Sequence, residues 1–184
     1  MKILAISGSL RAASTNMALL RAACRLAPPG MIISLYDGLG HLPIFNPDDD
    51  IEPGIPAVED FRRRLRQSDG VLVACPEYAH GVPGGLKNAL DWIVASGELV
   101  DKPMALFHAS ARSGISRQAL AEILVTMSAR LIREATVTVP LLGRNVGEMD
   151  DILIQPGVEA DIRAALVGFA TAVGAMRQTV AVAG

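Results

Sequence analysis

Short apolar runs alternate along this chain with stretches in which apolar positions recur every three or four residues. Lys2-Ile3-Leu4-Ala5-Ile6 is stopped by Ser7-Gly8-Ser9. Lacking polar alternation, that run predicts a strand buried on both faces, as in a parallel sheet. From Asn16 the spacing Met17, Leu20, Cys24 predicts a helix capped by Ser14 or Thr15 and ended by Pro28-Pro29-Gly30. Residues 31–36 predict a second strand, after which Asp37-Gly38 opens a Pro-rich acidic loop reaching Pro56, a length that points to function. Val58, Phe61 and Leu65 mark a second helix, and residues 71–75 a third strand ended by Pro76. Leu86, Leu90, Ile93 and Val94 predict a third helix closing at Gly97. Residues 104–108 read as a fourth strand, with Leu120, Ile123, Leu124, Met127 and Leu131 on one face of a fourth helix. Residues 136–141 then predict a fifth strand, and Ile162, Leu166, Phe169, Val173 and Met176 a last helix.

Five short apolar strands alternating with helices predict an α/β fold: a doubly wound five-stranded parallel sheet with helices on both faces. The common winding for five strands is 2-1-3-4-5, whose chain direction reverses between strands 1 and 3 and opens a crevice at their carboxyl ends. The loops after Ile6 and Cys75 should border it. Neither a repeat nor a linker interrupts the pattern, so residues 1–184 are expected to form a single domain.

Composition narrows the function classes. Across 184 residues, 51% are apolar, 20% charged and 4% aromatic, with a formal net charge of −2. That balance suits one soluble globular domain and argues against disorder or collagen. It also lacks the clustered Lys and Arg that phosphate-backbone binding needs, so nucleic acid is not an expected partner. Cys24 and Cys75 form no C-x-x-C pair, leaving neither a disulfide framework nor a zinc site and fitting a reducing cytoplasm. The opening apolar run meets Ser7-Gly8-Ser9 and Arg11 too soon for a signal peptide, and no later run is long enough for a bilayer span, so neither export nor membrane insertion is expected.

The first loop, Ser7-Gly8-Ser9-Leu10-Arg11-Ala12-Ala13-Ser14-Thr15-Asn16, delivers the chain to a helix amino end. Unpaired N–H groups and the positive dipole end favour an anion there, and hydroxyls and the Arg11 fork would complete a phosphate site. A plain capped helix is the competing reading. One glycine is too few for a dinucleotide fingerprint and no Walker lysine is present, so a single terminal phosphate fits better. Sheets of this winding hold FMN at that crevice, an association borrowed from the winding rather than deduced from these residues. The second loop, Cys75-Pro76-Glu77-Tyr78-Ala79-His80-Gly81-Val82-Pro83-Gly84-Gly85, is shaped by Pro and Gly so that main-chain groups can approach a planar ring; a rigid turn is its other reading.

Gly8-Ser9-Leu10-Arg11 with Ser14 and Asn16, Leu42-Pro43-Ile44-Phe45-Asn46, and Pro76-Glu77-Tyr78 followed by Pro83-Gly84-Gly85-Leu86-Lys87-Asn88-Ala89-Leu90-Asp91-Trp92 closely resemble the NADPH-dependent FMN reductases. This is a flavodoxin-like family that includes azoreductases, quinone reductases and chromate reductases. The resemblance runs from Lys2 to about Val139, with the three blocks in family order. It implies that Ser9, Arg11, Ser14 and Asn16 hold the FMN phosphate, with the backbone of Thr15, and that Pro76, Glu77 and Tyr78 run beside the isoalloxazine. Ala79, His80 and Ser110 join them as cofactor-binding positions, although Ala79 and Gly81 stand where the family usually has Asn and Ser. The loop 109–114 also lacks the family's Gly-Gly pair.

Other features have plainer readings beside a functional one. His80 would orient nicotinamide or quinone, or stand as polar surface. Arg112 would meet an anionic substrate or the cofactor phosphate, or be solvated. Cys75 reads as a buried, inert thiol; Arg62-Arg63-Arg64-Leu65-Arg66 would clamp the extra phosphate of NADPH or, more simply, form the wet face of a helix, while Asp48-Asp49-Asp50 lacks calcium-loop spacing. No metal site is expected, and hydrolysis lacks its nucleophile motifs.

The expected function is therefore an FMN-dependent oxidoreductase that takes hydride from NADPH or NADH onto bound FMN. It would then reduce a small-molecule acceptor: a quinone, azo compound, free flavin or metal oxyanion. No residue is nominated as an obligate acid or base. With seven aromatic residues in the chain and only Tyr78 in the ring-side loops, one flavin face should stay open. The rivals are a flavodoxin-type electron carrier, for which a charge of −2 is a weak docking field, and a non-catalytic flavin sensor. A homodimer or homotetramer is expected from the apolar content near the site and from the family.

Overall fold

The computed structural model describes residues 1–183 and the side chains of residues 1–178, so Gly184 of the expected domain lies outside the described residues. Five runs of sheet lie in the order β2 (Ile32–Tyr36), β1 (Lys2–Ser7), β3 (Gly70–Ala74), β4 (Pro103–His108) and β5 (Arg130–Leu131), and a sixth short strand, β6 (Val137–Thr138), also pairs with β4. All pairings are parallel. This is the flavodoxin-like winding that the sequence predicts.

The central strands β1 (Lys2–Ser7), β3 (Gly70–Ala74) and β4 (Pro103–His108) are buried along nearly their whole length, as their uninterrupted apolar runs require. The edge strand β2 (Ile32–Tyr36) is only half covered. Alternate side chains enter two cores. Ile3, Ala5, Leu72, Ala74, Ala105 and Phe107 pack under α1 (Thr15–Arg25), α5 (Val146–Leu153) and α6 (Pro156–Ala183). Leu4, Ile6, Val71, Val73, Met104 and Leu106 pack under α2 (Pro56–Gln67), α3 (Gly84–Asp91) and α4 (Gly114–Thr126). Gly70 marks how tightly α6 sits: a methyl group there would come within 2.8 Å of the Phe169 ring.

Four elements differ from the sequence pattern. The fifth strand is split into β5 (Arg130–Leu131) and β6 (Val137–Thr138) by a turn over Arg133–Ala135. That turn buries Ala135 in the core beneath α6, which costs strand continuity but keeps apolar burial. Its ladder with β4 then resumes through Val139 N–H to His108 O (2.8 Å) and Leu141 N–H to Ala109 O (2.9 Å). Leu131 leaves α4 because Ser128, at φ 62°, ends the helix in the left-handed region. Val94, predicted on the buried face of the third helix, is 59% exposed, because α3 stops at Asp91 and tighter turns follow. Finally, α5 has no counterpart in the periodicity.

Candidate functional site

The sheet winding brings four loops together beyond the carboxyl ends of β1, β3, β4 and β6. The first two meet at Gly8, whose N–H donates to Ala74 O (2.8 Å), extending the β1–β3 ladder into the loops. A side chain at Gly8 would stand 3.1 Å from Leu86 and 3.3 Å from Pro76, so this close approach needs glycine. Ser9 then ties the loops together: its hydroxyl lies 3.3 Å from the Tyr78 hydroxyl and accepts from Arg11 N–H (3.3 Å). At the start of α1, Ser14 Oγ accepts from Met17 N–H (3.3 Å). The preceding N–H groups of the first turn, those of Thr15 and Asn16, have no acceptor within the helix.

Between these loops opens a cleft of about 610 Å³. Ser9, Arg11, Ser14, Thr15 and Asn16 line one side, Pro76, Glu77 and Tyr78 another, and Ser110 and Arg112 a third. These are residues singled out in the sequence, and they come together. Ala79 and His80 do not line the cleft. They form the exposed tip of a tight turn, at φ 49° and 59°, closed by paired backbone bonds between Tyr78 and Gly81 (3.2 and 2.9 Å).

Sequence reasoning missed the fourth wall. Leu142, Gly143, Arg144, Asn145, Val146 and Met149 complete the lining. Asn145 accepts from Glu148 N–H (3.0 Å) while Glu148 accepts from Asn145 N–H (2.8 Å), a capping box that starts α5. The Asn-x-x-Glu spacing was the available signal for this element.

Electrostatically the cleft is cationic. Arg11, Arg112 and Arg144 line it together with one carboxylate, Glu77, which is already engaged. Glu77 accepts from Ser116 N–H in the first turn of α4 (2.9 Å) and faces His80 Nδ1 (3.2 Å). The Ser116 N–H, followed by the His80 contact, holds its pKa below the usual carboxylate range despite the opposing effect of burial. Burial pushes the Cys75 thiol up to about 12, so it stays protonated beside the cleft, as expected for an inert cysteine. Asn16 is almost fully buried, and its side-chain oxygen has no hydrogen-bond partner in the protein. A hydroxyl-rich helix start, a guanidinium and an unsatisfied amide make this cradle suited to a phosphorylated, hydroxylated ligand.

The Arg62–Arg66 run is not a uniform wet face. Arg62 is 8% exposed and forks onto Asp50 (2.9 and 2.8 Å), also donating to Glu59 (3.0 Å) and Trp92 O (2.7 Å). Arg63 and Arg64 pair with Asp60, and Arg66 with Glu98. The acidic loop thus has a structural partner. Among the described residues no cluster of side chains is arranged to hold a metal ion.

Residues 1–141 match the family described as NADPH-dependent FMN reductase. The chain is 46% identical over 119 residues to an NAD(P)H-dependent FMN reductase of Pseudomonas aeruginosa, covering 63% of this chain and 64% of that protein. It is 38% identical over 106 residues to a quinone reductase of Escherichia coli, covering 57% and 55%. The matched stretch thus spans less than two thirds of either relative's length. In fold it is similar to FerB, a flavoenzyme NAD(P)H:(acceptor) oxidoreductase from Paracoccus denitrificans, with a TM-score of 0.70 at 23% identity over 89% of this chain and 96% of that one. The family match takes in β1 through β6 and three of the four cleft walls, and on it the chain belongs to the NADPH-dependent FMN reductase family.

Proposed function

We propose that the protein is an FMN-dependent NAD(P)H oxidoreductase reducing a small acceptor of the quinone class, with azo compounds, free flavin or metal oxyanions as further candidates. The carrying observation is the cleft itself: a cationic, hydroxyl-lined helix start and a proline-shaped loop meet at the crevice between β1 and β3. FMN fits this donor set. Arg11, the hydroxyls of Ser9 and Ser14, and the N–H groups of Thr15 and Asn16 would hold its phosphate, and the unpartnered Asn16 amide would gain a ribityl partner. Pro76, Glu77, Tyr78 and Ser110 would hold the ring, with Ala79 and His80 at its exposed margin and Arg112 toward the substrate.

Held there, FMN would supply the hydride-transfer chemistry, with NADPH or NADH as donor. The protein's residues position and exclude. Glu77 is committed to Ser116 and His80, so it braces the ring-side loop instead of moving a proton. Tyr78 is 53% exposed, which leaves the ring side open to a reactant.

We read residues 1–184 as one domain, because both cores share a single sheet. A homodimer or homotetramer is supported by the exposed apolar side chains of Leu10, Ile44 and Tyr78 around the cleft and α3. A cytoplasmic setting is supported by two free cysteines, and no described helix is long and apolar enough to cross a membrane.

The test is steady-state oxidation of NADPH and NADH by FMN-loaded protein with a quinone acceptor. Turnover with ping-pong kinetics is expected. A protein that takes up FMN yet shows no turnover with a quinone, dye or free flavin would sink the reading and leave an electron carrier or sensor.

A further inference from the structure

The cleft carries more positive charge than one cofactor phosphate requires. Arg11 and the amino end of α1 together supply about +1.5, which matches a phosphomonoester of about −1.5 to −2. Arg112 and Arg144 remain. Neither has a side-chain partner among the described residues, whereas Arg62, Arg63, Arg64, Arg66 and Arg130 are all paired with carboxylates. The cleft's one carboxylate, Glu77, is engaged elsewhere. The two arginines also belong together: each sits three residues beyond a partner in the hydrogen bond from Leu141 N–H to Ala109 O (2.9 Å). Their loops leave neighbouring strands side by side, and both line the same cavity. The wall bearing Arg144 lies outside the segment that matches the family, residues 1–141.

We propose that Arg112 and Arg144 form a second oxyanion subsite that takes the 2′-phosphate of the hydride donor and so selects NADPH over NADH. Two guanidinium forks suit the tetrahedral oxygens of a phosphomonoester. NADH has no such group to offer them. The inference rests on the reductase reading and adds the determinant of donor choice.

The experiment compares native protein with Arg144→Gln and Arg112→Gln in FMN-loaded form, with Arg21→Gln, exposed on α1 away from the cleft, as control. Two readouts are taken: the ratio of kcat/KM for NADPH to that for NADH, and calorimetric affinities for 2′-phospho-ADP-ribose against ADP-ribose. Loss of one charge-assisted fork should lower both ratios roughly tenfold or more in each cleft variant, leaving the control unmoved. Unchanged ratios in both variants overturn the proposal. So does an Arg144→Gln protein that keeps both ratios but loses affinity for FMN relative to riboflavin, because Arg144 then serves the cofactor phosphate. If native protein takes up no FMN, the reductase reading fails separately. The affinity pair measured on unloaded protein then still decides the subsite: a lost preference for the 2′-phosphate in the variants supports it, and an unaltered one refutes it.

Discussion

His108 ends β4 with 5% of its surface exposed and its Nδ1 buried without a partner. Burial, followed by the nearby Arg117 guanidinium, lowers its pKa from 6.5 to about 4. The unfolded chain therefore binds a proton at this position between pH 6.5 and 4 that the folded chain refuses. Stability from this residue is complete above pH 6.5 and is lost as pH falls toward 4, by about 3 kcal/mol. His108→Gln should flatten the pH dependence over that window. Urea-unfolding midpoints of both proteins from pH 7.5 to 4 check it, and parallel curves would refute the assignment. Residues of this kind are invisible in the sequence, since nothing in the run 103–108 says that the ring turns inward. The first-loop residues that line the cleft were legible because hydroxyls, Arg11 and a helix cap occur together in one short stretch. Arg144 was not, because it lies past the predicted fifth strand, 136–141, in a stretch that neither an apolar period nor a cluster of hydroxyls marks.

At the scale of elements, the long loop between β2 and α2 is held by side chains from two helices. Asn88 donates to Pro43 O (2.8 Å) and accepts from Phe45 N–H (2.8 Å), and Trp92 Nε1 also donates to Pro43 O (2.8 Å). Further along, Arg62 clamps Asp50 to Trp92 O. Arg62→Met should destabilise the fold by about 2–3 kcal/mol, because it strands Asp50 and a buried carbonyl. It should also expose residues 46–55 to limited proteolysis. An unchanged cleavage pattern together with an unchanged unfolding midpoint would show that the clamp is idle. The central strands were readable because burial on both faces demands an unbroken apolar run. The β5 half of the fifth strand and α5 escaped for opposite reasons. One is interrupted to let Ala135 into the core, while α5 buries only Met149 and Leu153 in eight residues, too little to print a period.

For the whole molecule, the Asn88 side chain presents Ile44 to solvent at 89% exposure between the two neighbours it pins, Pro43 and Phe45. A side chain so held has lost its backbone freedom in advance, which lowers the entropic cost of burying it against a second copy. Ile44→Asp should shift the proposed homodimer or homotetramer toward monomer in light scattering while leaving the thermal unfolding of dilute protein nearly unchanged. An assembly state indifferent to that charge would remove this face from consideration.

The division of the fifth strand reaches beyond the interior. Sheet margins with long free rows of amide and carbonyl groups invite foreign strands to add on and grow into fibrils. Here an incoming strand would find two residues, Arg130 and Leu131, then the kink at Arg133–Ala135, then a second short stretch that follows β4 from Val137 to Leu141. The border is thus broken into two short rows. The interruption that hid β5 from the sequence pattern also shortens the template open to runaway polymerisation.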